Sequence, residues 1–89
     1  MGRIARVEYS RQFLKTLSRL PKEVVRKAQE KENVFKENPF DLSLKTHKLH
    51  GKEKDIWAFS VTWTYRIKFL FITGTEVLFL EIGTHDIYR

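Results

Sequence analysis

The chain has no cysteine, which excludes a disulfide framework, a thiolate nucleophile and a thiolate metal site, and fits a reducing compartment. Long apolar runs are missing too. None exceeds four residues, as in "FLFI" at 69–72, which is far too short to span a bilayer. The opening "MGRIARVEYS" lacks the apolar segment of a signal peptide. A soluble cytoplasmic protein with no membrane partner is expected. No Walker loop, GxGxxG or GxSxG occurs, which leaves nucleotide-binding and serine-hydrolase readings without footing. With no cysteine and histidines only at 47, 50 and 85, a zinc site has too few converging ligands, so no metal or other cofactor is expected. Negative charge is scarce as well: 11 Asp and Glu stand against 17 Lys and Arg, a net charge of +6. That balance in a small domain favours a polyanion, either nucleic acid or an acidic protein.

What is present is enough for a folded globule. Hydrophobic residues make up 42% of 89, including seven Phe, three Tyr and two Trp, so residues 1–89 are read as one domain with a thin core. "RIARVEYS" alternates apolar and polar residues as a strand does. Ser10 then stands where its hydroxyl can cap a helix through Leu20, with Phe13, Leu14, Leu17 and Leu20 as the buried stripe. Arg11, Lys15 and Arg19 line another face of that helix, with no acid among them. Pro21 can open a second helix, and Asn38-Pro39 closes it, because proline pushes its predecessor out of helical geometry.

Residues 40–55 read as a basic loop, followed by three strand-like runs, "IWAFSVTW", "YRIKFLFI" and "EVLFLEIG", joined by turns near Thr64 and at "TGT", where Gly74 can take a positive φ. The order β–α–α–β–β–β predicts an α+β fold: an N-terminal strand, a helical hairpin, then a three-stranded antiparallel meander in one sheet. Period two places Trp57, Phe59, Val61 and Trp63 on one side, then Tyr65, Ile67, Phe69 and Phe71, then Leu78, Leu80 and Ile82. The opposite side carries Arg66, Lys68, Glu81 and His85, a platform suited to a phosphate chain.

Several residues could carry chemistry. His85 can give and take a proton near neutrality, or be a surface histidine held by Asp86. His47 and His50 lie in "HKLHG" beside Lys45, Lys48, Lys52 and Lys54, a phosphate-binding loop or a solvated one. Arg66 offers a planar fork to phosphate oxygens, or pairs with Glu81. Tyr88 could stack on a base, or cover a sheet edge. Together they form the set that RNA cleavage by its own 2′-hydroxyl requires: a base for the 2′-OH, an acid for the leaving 5′-oxygen, and cations for the phosphorane.

"HKLHGKEKDIWAFSV", "YRIKFLF" and "VLFLEIGTHDIY", with the helix motif from Phe13 to Pro21, resemble in order and spacing the RelE/ParE superfamily of bacterial type II toxin–antitoxin toxins, in the manner of its RelE, YafQ and YoeB branches. The resemblance implies a RelE-like microbial ribonuclease fold and a metal-independent endoribonuclease (an mRNA interferase) acting on message at the ribosome. It also implies an acidic antitoxin partner. By position it implies His47 as general base, His85 as general acid, Arg66 on the scissile phosphate and Tyr88 near the nucleotide, with Lys45, Lys48, His50, Lys52, Lys54 and Lys68 along the RNA. Ser60 and Thr64 stand where many relatives carry a further histidine and aspartate. The superfamily also holds ParE-like gyrase inhibitors, and a catalytically inactive antitoxin-binding module would share the fold.

Overall fold

The computed structural model describes residues 2–51 and 54–84. Strand β1 (Arg6–Tyr9) leads into helix α1 (Arg11–Ser18) and helix α2 (Lys22–Glu37). A single 3-10 turn (Leu42–Leu44) precedes β2 (His47–Lys48), β3 (Trp57–Ser60), β4 (Arg66–Phe71) and β5 (Glu76–Gly83). The strands form one sheet in the order β1-β5-β4-β3-β2. β1 runs parallel to β5, and every other pairing is antiparallel.

The local signals explain the elements. The Ser10 hydroxyl accepts the Phe13 N–H at 2.9 Å, satisfying one of the donors that a helix start leaves unpaired. Pro21 caps α2 rather than occupying its first position, and Asn38 closes it in extended geometry with φ −159. Both helices cover one face of the sheet. There Phe35, wholly buried, stacks on Phe59 with ring centroids 4.7 Å apart and meets Phe69 and Phe79 edge-on at 4.9 and 5.5 Å. Aromatic pairs of this geometry add to the burial of their area.

Four details depart from the sequence reading. The basic loop contains β2, so the antiparallel part of the sheet has four strands instead of three. Gly74 is not at positive φ; that conformation falls on Gly51, Lys45 and Asp55. The third departure is a bulge. Lys68 opposes Glu81 whereas the next residue, Phe69, opposes Phe79, so β5 has one residue more than β4. The extra residue inverts the alternation. Val77, Phe79 and Ile82 therefore enter the core, where Leu78, Leu80 and Ile82 were expected. Finally, β3 stops at Ser60, and Trp63 leaves the apolar face to stand 82% exposed.

Candidate functional site

The sheet face away from the helices carries His47, Arg66, Lys68 and Glu81. Cross-strand partners share a face, and here the register is His47 opposite Ala58, Ala58 opposite Lys68, and Lys68 opposite Glu81. One row thus carries an imidazole, an ammonium and a carboxylate. Arg66 lies two residues from Lys68 on the same strand, hence on the same face, opposite Ser60 and Gly83. With strands about 4.8 Å apart, the His47 and Lys68 backbones are separated by roughly 10 Å, a span that a phosphodiester between long side chains can fill.

Two of these side chains, His47 and Arg66, are oriented by nearby backbone. His47 Nδ1 lies 2.9 Å from the Lys45 carbonyl oxygen. A carbonyl only accepts, so Nδ1 carries the hydrogen, and in the neutral ring the basic lone pair is on Nε2. Arg66 Nη1 donates to the carbonyls of Thr62, Trp63 and Tyr65 at 3.0, 3.2 and 3.3 Å. Those contacts hold the guanidinium at the β3–β4 turn. Glu81 accepts from Gln12 Nε2 at 3.5 Å and faces Lys68; Arg66 has Gly83, not Glu81, directly across from it.

The other expected phosphate contacts are dispersed. Lys48 opposes Trp57, on the helix side of the sheet, and pairs with Asp55 at 3.8 Å. His50 and Lys54 are exposed in the segment joining β2 to β3. Lys45 ends the 3-10 turn in left-handed geometry, φ 52, and places its ammonium 4.8 Å from the Trp63 ring centroid. His85, Tyr88 and Lys52 lie outside the described residues. His85 follows Gly83, the residue opposite Arg66, by two positions in the chain.

Trp63 was expected on the apolar face of a strand and instead stands exposed on the β3–β4 turn. The signal was there: its neighbours Thr62 and Thr64 are turn-forming, and a strand interrupted by a turn no longer buries alternate residues. No shallow rule separates that case from a continued strand, since "SVTWTYRI" keeps its alternation throughout.

No protein-family model and no curated protein sequence matches the chain. Solved structures do. The chain is similar to YafQ from E. coli strain BL21(DE3), with a TM-score of 0.75 at 21% identity over 91% of this chain and 93% of that one. It is similar to the RelBE2 toxin-antitoxin complex of Mycobacterium tuberculosis, with a TM-score of 0.79 at 16% identity over 96% and 94%. It also resembles the archaeal RelE-RelB complex from Pyrococcus horikoshii OT3, with a TM-score of 0.71 at 22% identity over 89% and 92%. At these identities the likeness establishes the fold: the α+β architecture of RelE-like toxins.

Proposed function

We propose that the chain is the toxin of a type II toxin–antitoxin pair and cuts message on the ribosome as a metal-independent endoribonuclease. The observation that carries this reading is the register of the sheet. It sets His47, Lys68 and Arg66 on one face, in a fold shared with the YafQ, RelE and RelBE2 structures.

In the proposed reaction His47 Nε2 takes the proton of the 2′-hydroxyl, and the 2′-oxygen attacks the adjacent phosphorus. Arg66 and Lys68 stabilise the negative phosphorane, whose charge grows as the new P–O bond forms. The 5′-oxygen leaves with the phosphorus–oxygen electron pair and a proton from His85. The products are a 2′,3′-cyclic phosphate and a 5′-hydroxyl, and no electron donor or acceptor is needed. Tyr88 would lie along the nucleotide, and the exposed Lys54 and His50, with Lys52, would steer the polyanion.

The partner is an acidic antitoxin. Two of the similar structures are complexes, one of RelE with RelB and one the RelBE2 toxin-antitoxin complex, and this chain offers a suitable surface. Leu14, Leu17, Leu20 and Val25 floor a groove of about 450 Å³ between α1 and α2, with Lys22 and Arg26 at its edge. Arg11, Lys15 and Arg19 are exposed along α1 beside it, so an acidic amphipathic segment would meet both its needs there.

Primer extension on a message translated in a purified system tests the reading. Wild-type protein should cut, and His47→Ala, Arg66→Ala and His85→Ala should each lose about 10²–10⁴-fold in rate, as general acid–base and electrostatic groups do. Uncut message, or full cutting by the variants, overturns it. Intact RNA with stoichiometric inhibition of supercoiling would assign the fold to a gyrase inhibitor instead.

A further inference from the structure

Trp63 has no part in the core, yet it is held in place. Val61 N–H and Thr62 N–H both donate to the Tyr65 carbonyl, at 2.9 and 3.3 Å. The Thr62 hydroxyl accepts from the N–H groups of Thr64 and Tyr65, at 3.2 and 3.1 Å. With Arg66 bonded to three carbonyls of the same turn, the indole stands on a rigid mount and remains 82% exposed. A lone exposed apolar residue needs no explanation. An exposed indole on a fixed turn, with a cation over its ring and bonds to the candidate site, does.

The surroundings are basic and hydroxylated. Lys31, Ser43, Lys45, Ser60, Thr62 and Trp63 line an open cavity of about 210 Å³ at this end of the sheet. Lys45 lies over one part of the ring. Lys31 adds a second ammonium, shared with Asp41, whose carboxyl is held below the usual range mainly by hydrogen bonds from Ser43 and less by Lys31. Both members of the Lys45–Trp63 pair are also tied to the reacting groups. The Lys45 carbonyl receives His47 Nδ1, and the Trp63 carbonyl receives Arg66 Nη1.

We infer that Trp63, with Lys45 and Lys31, forms a stacking subsite for one base of single-stranded RNA next to the scissile phosphate. An aromatic platform with an ammonium over one face can take any base on the other, because each base presents a π face, and the ammonium groups take the neighbouring phosphate. The subsite would fix the RNA relative to Arg66 and His47 and leave the choice of base open. It rests on the ribonuclease reading above.

The test uses a short single-stranded RNA with 2′-O-methyl riboses, which cannot be cut. Trp57 is packed against Phe40 and Phe71, with centroids 5.5 and 5.7 Å away, so a change in indole emission on titration reports Trp63. Wild-type emission should be quenched. Trp63→Ala should bind about tenfold more weakly by anisotropy with an unchanged melting temperature, Trp63→Phe should retain most of the affinity, and Lys45→Ala should weaken it severalfold. On ribosomes Trp63→Ala should raise the protein concentration needed for half-maximal cutting. Equal affinity and equal cutting by wild type and Trp63→Ala overturn the subsite while leaving the ribonuclease reading intact. Loss of antitoxin binding by Trp63→Ala with RNA affinity retained also overturns it, by making the indole a protein contact. Absence of RNA binding and cutting in the wild type brings down the ribonuclease reading, and the subsite with it.

Discussion

Tyr9 shows how a single side chain ties the strand to the helices. Its ring stacks on Phe13 and meets Phe79 edge-on, with centroids 5.5 and 5.8 Å away, and its hydroxyl donates to Glu32 on α2. Partial burial, then the hydrogen bond to Glu32, then that carboxylate's charge push the phenol from 10.0 up to about 12. A folded phenol that keeps its proton longer than the unfolded one stabilises the protein fully below about pH 10. That contribution disappears as pH rises through about 12. Chemical denaturation at pH 8 and pH 11 should therefore show a smaller alkaline loss for Tyr9→Phe than for wild type. Equal losses would mean that the phenol and carboxylate are not coupled in solution. Tyr9 was legible in the sequence as a strand residue, but its partner Glu32 is 23 positions away, and nothing in local pattern pairs them.

At the scale of elements, α1 acts on β5 through two hydroxyls. β1 ends at Tyr9, so the last part of β5 has no strand on that side. Ser10 Oγ donates to the Leu80 carbonyl at 2.8 Å, and Thr16 Oγ1 accepts the Ile82 N–H at 3.3 Å. These are the backbone groups around the bulge, and buried backbone polar groups left unpaired are costly. Ser10→Ala removes both a helix cap and the Leu80 contact. It should cost ~1–3 kcal/mol, a drop of several degrees in melting temperature for a domain this size. Thr16→Val should cost about 1 kcal/mol or more by urea denaturation. A Ser10→Ala protein as stable as wild type would show that the cap and the bulge contact contribute nothing. The cap was readable from Ser10 itself. Thr16 looked like any polar helix residue, because its role exists only against a strand 66 positions later.

For the molecule as a whole, the core is a block of aromatic rings with Phe35 at its centre. Phe35, Phe59, Phe69 and Phe79 are each fully buried. Phe35→Ala should cost ~3–5 kcal/mol, from lost transfer energy and the cavity left among rings that cannot collapse around it. In a small domain that is a large share of total stability. Circular dichroism melting would register it, and a loss under about 1 kcal/mol would contradict the packing described. Positive charge is the other global property. Arg11, Lys15 and Arg19 are exposed along the α1 side, and Arg66 and Lys68 stand on the sheet face away from the helices, so the two proposed partners, acidic protein and RNA, would meet different cations.

Apolar periodicity, the Ser10 cap and the Asn38-Pro39 stop specified two helices and a sheet, because those signals act within a few residues of one another. Composition set the basic charge and ruled out thiol chemistry. Tertiary structure decided the rest. Pairing with β3 made a strand of His47–Lys48 and carried His47 onto the face of Arg66 and Lys68. One additional residue in β5 turned Val77 and Phe79 into the core in place of Leu78 and Leu80, and the Tyr65 carbonyl drew Val61 and Thr62 into a turn that exposed Trp63. The strand pairing and the bulge depend on hydrogen bonds between separate segments, whose alignment no local run of side chains encodes, and the turn is local but lies in a run that keeps a strand's alternation.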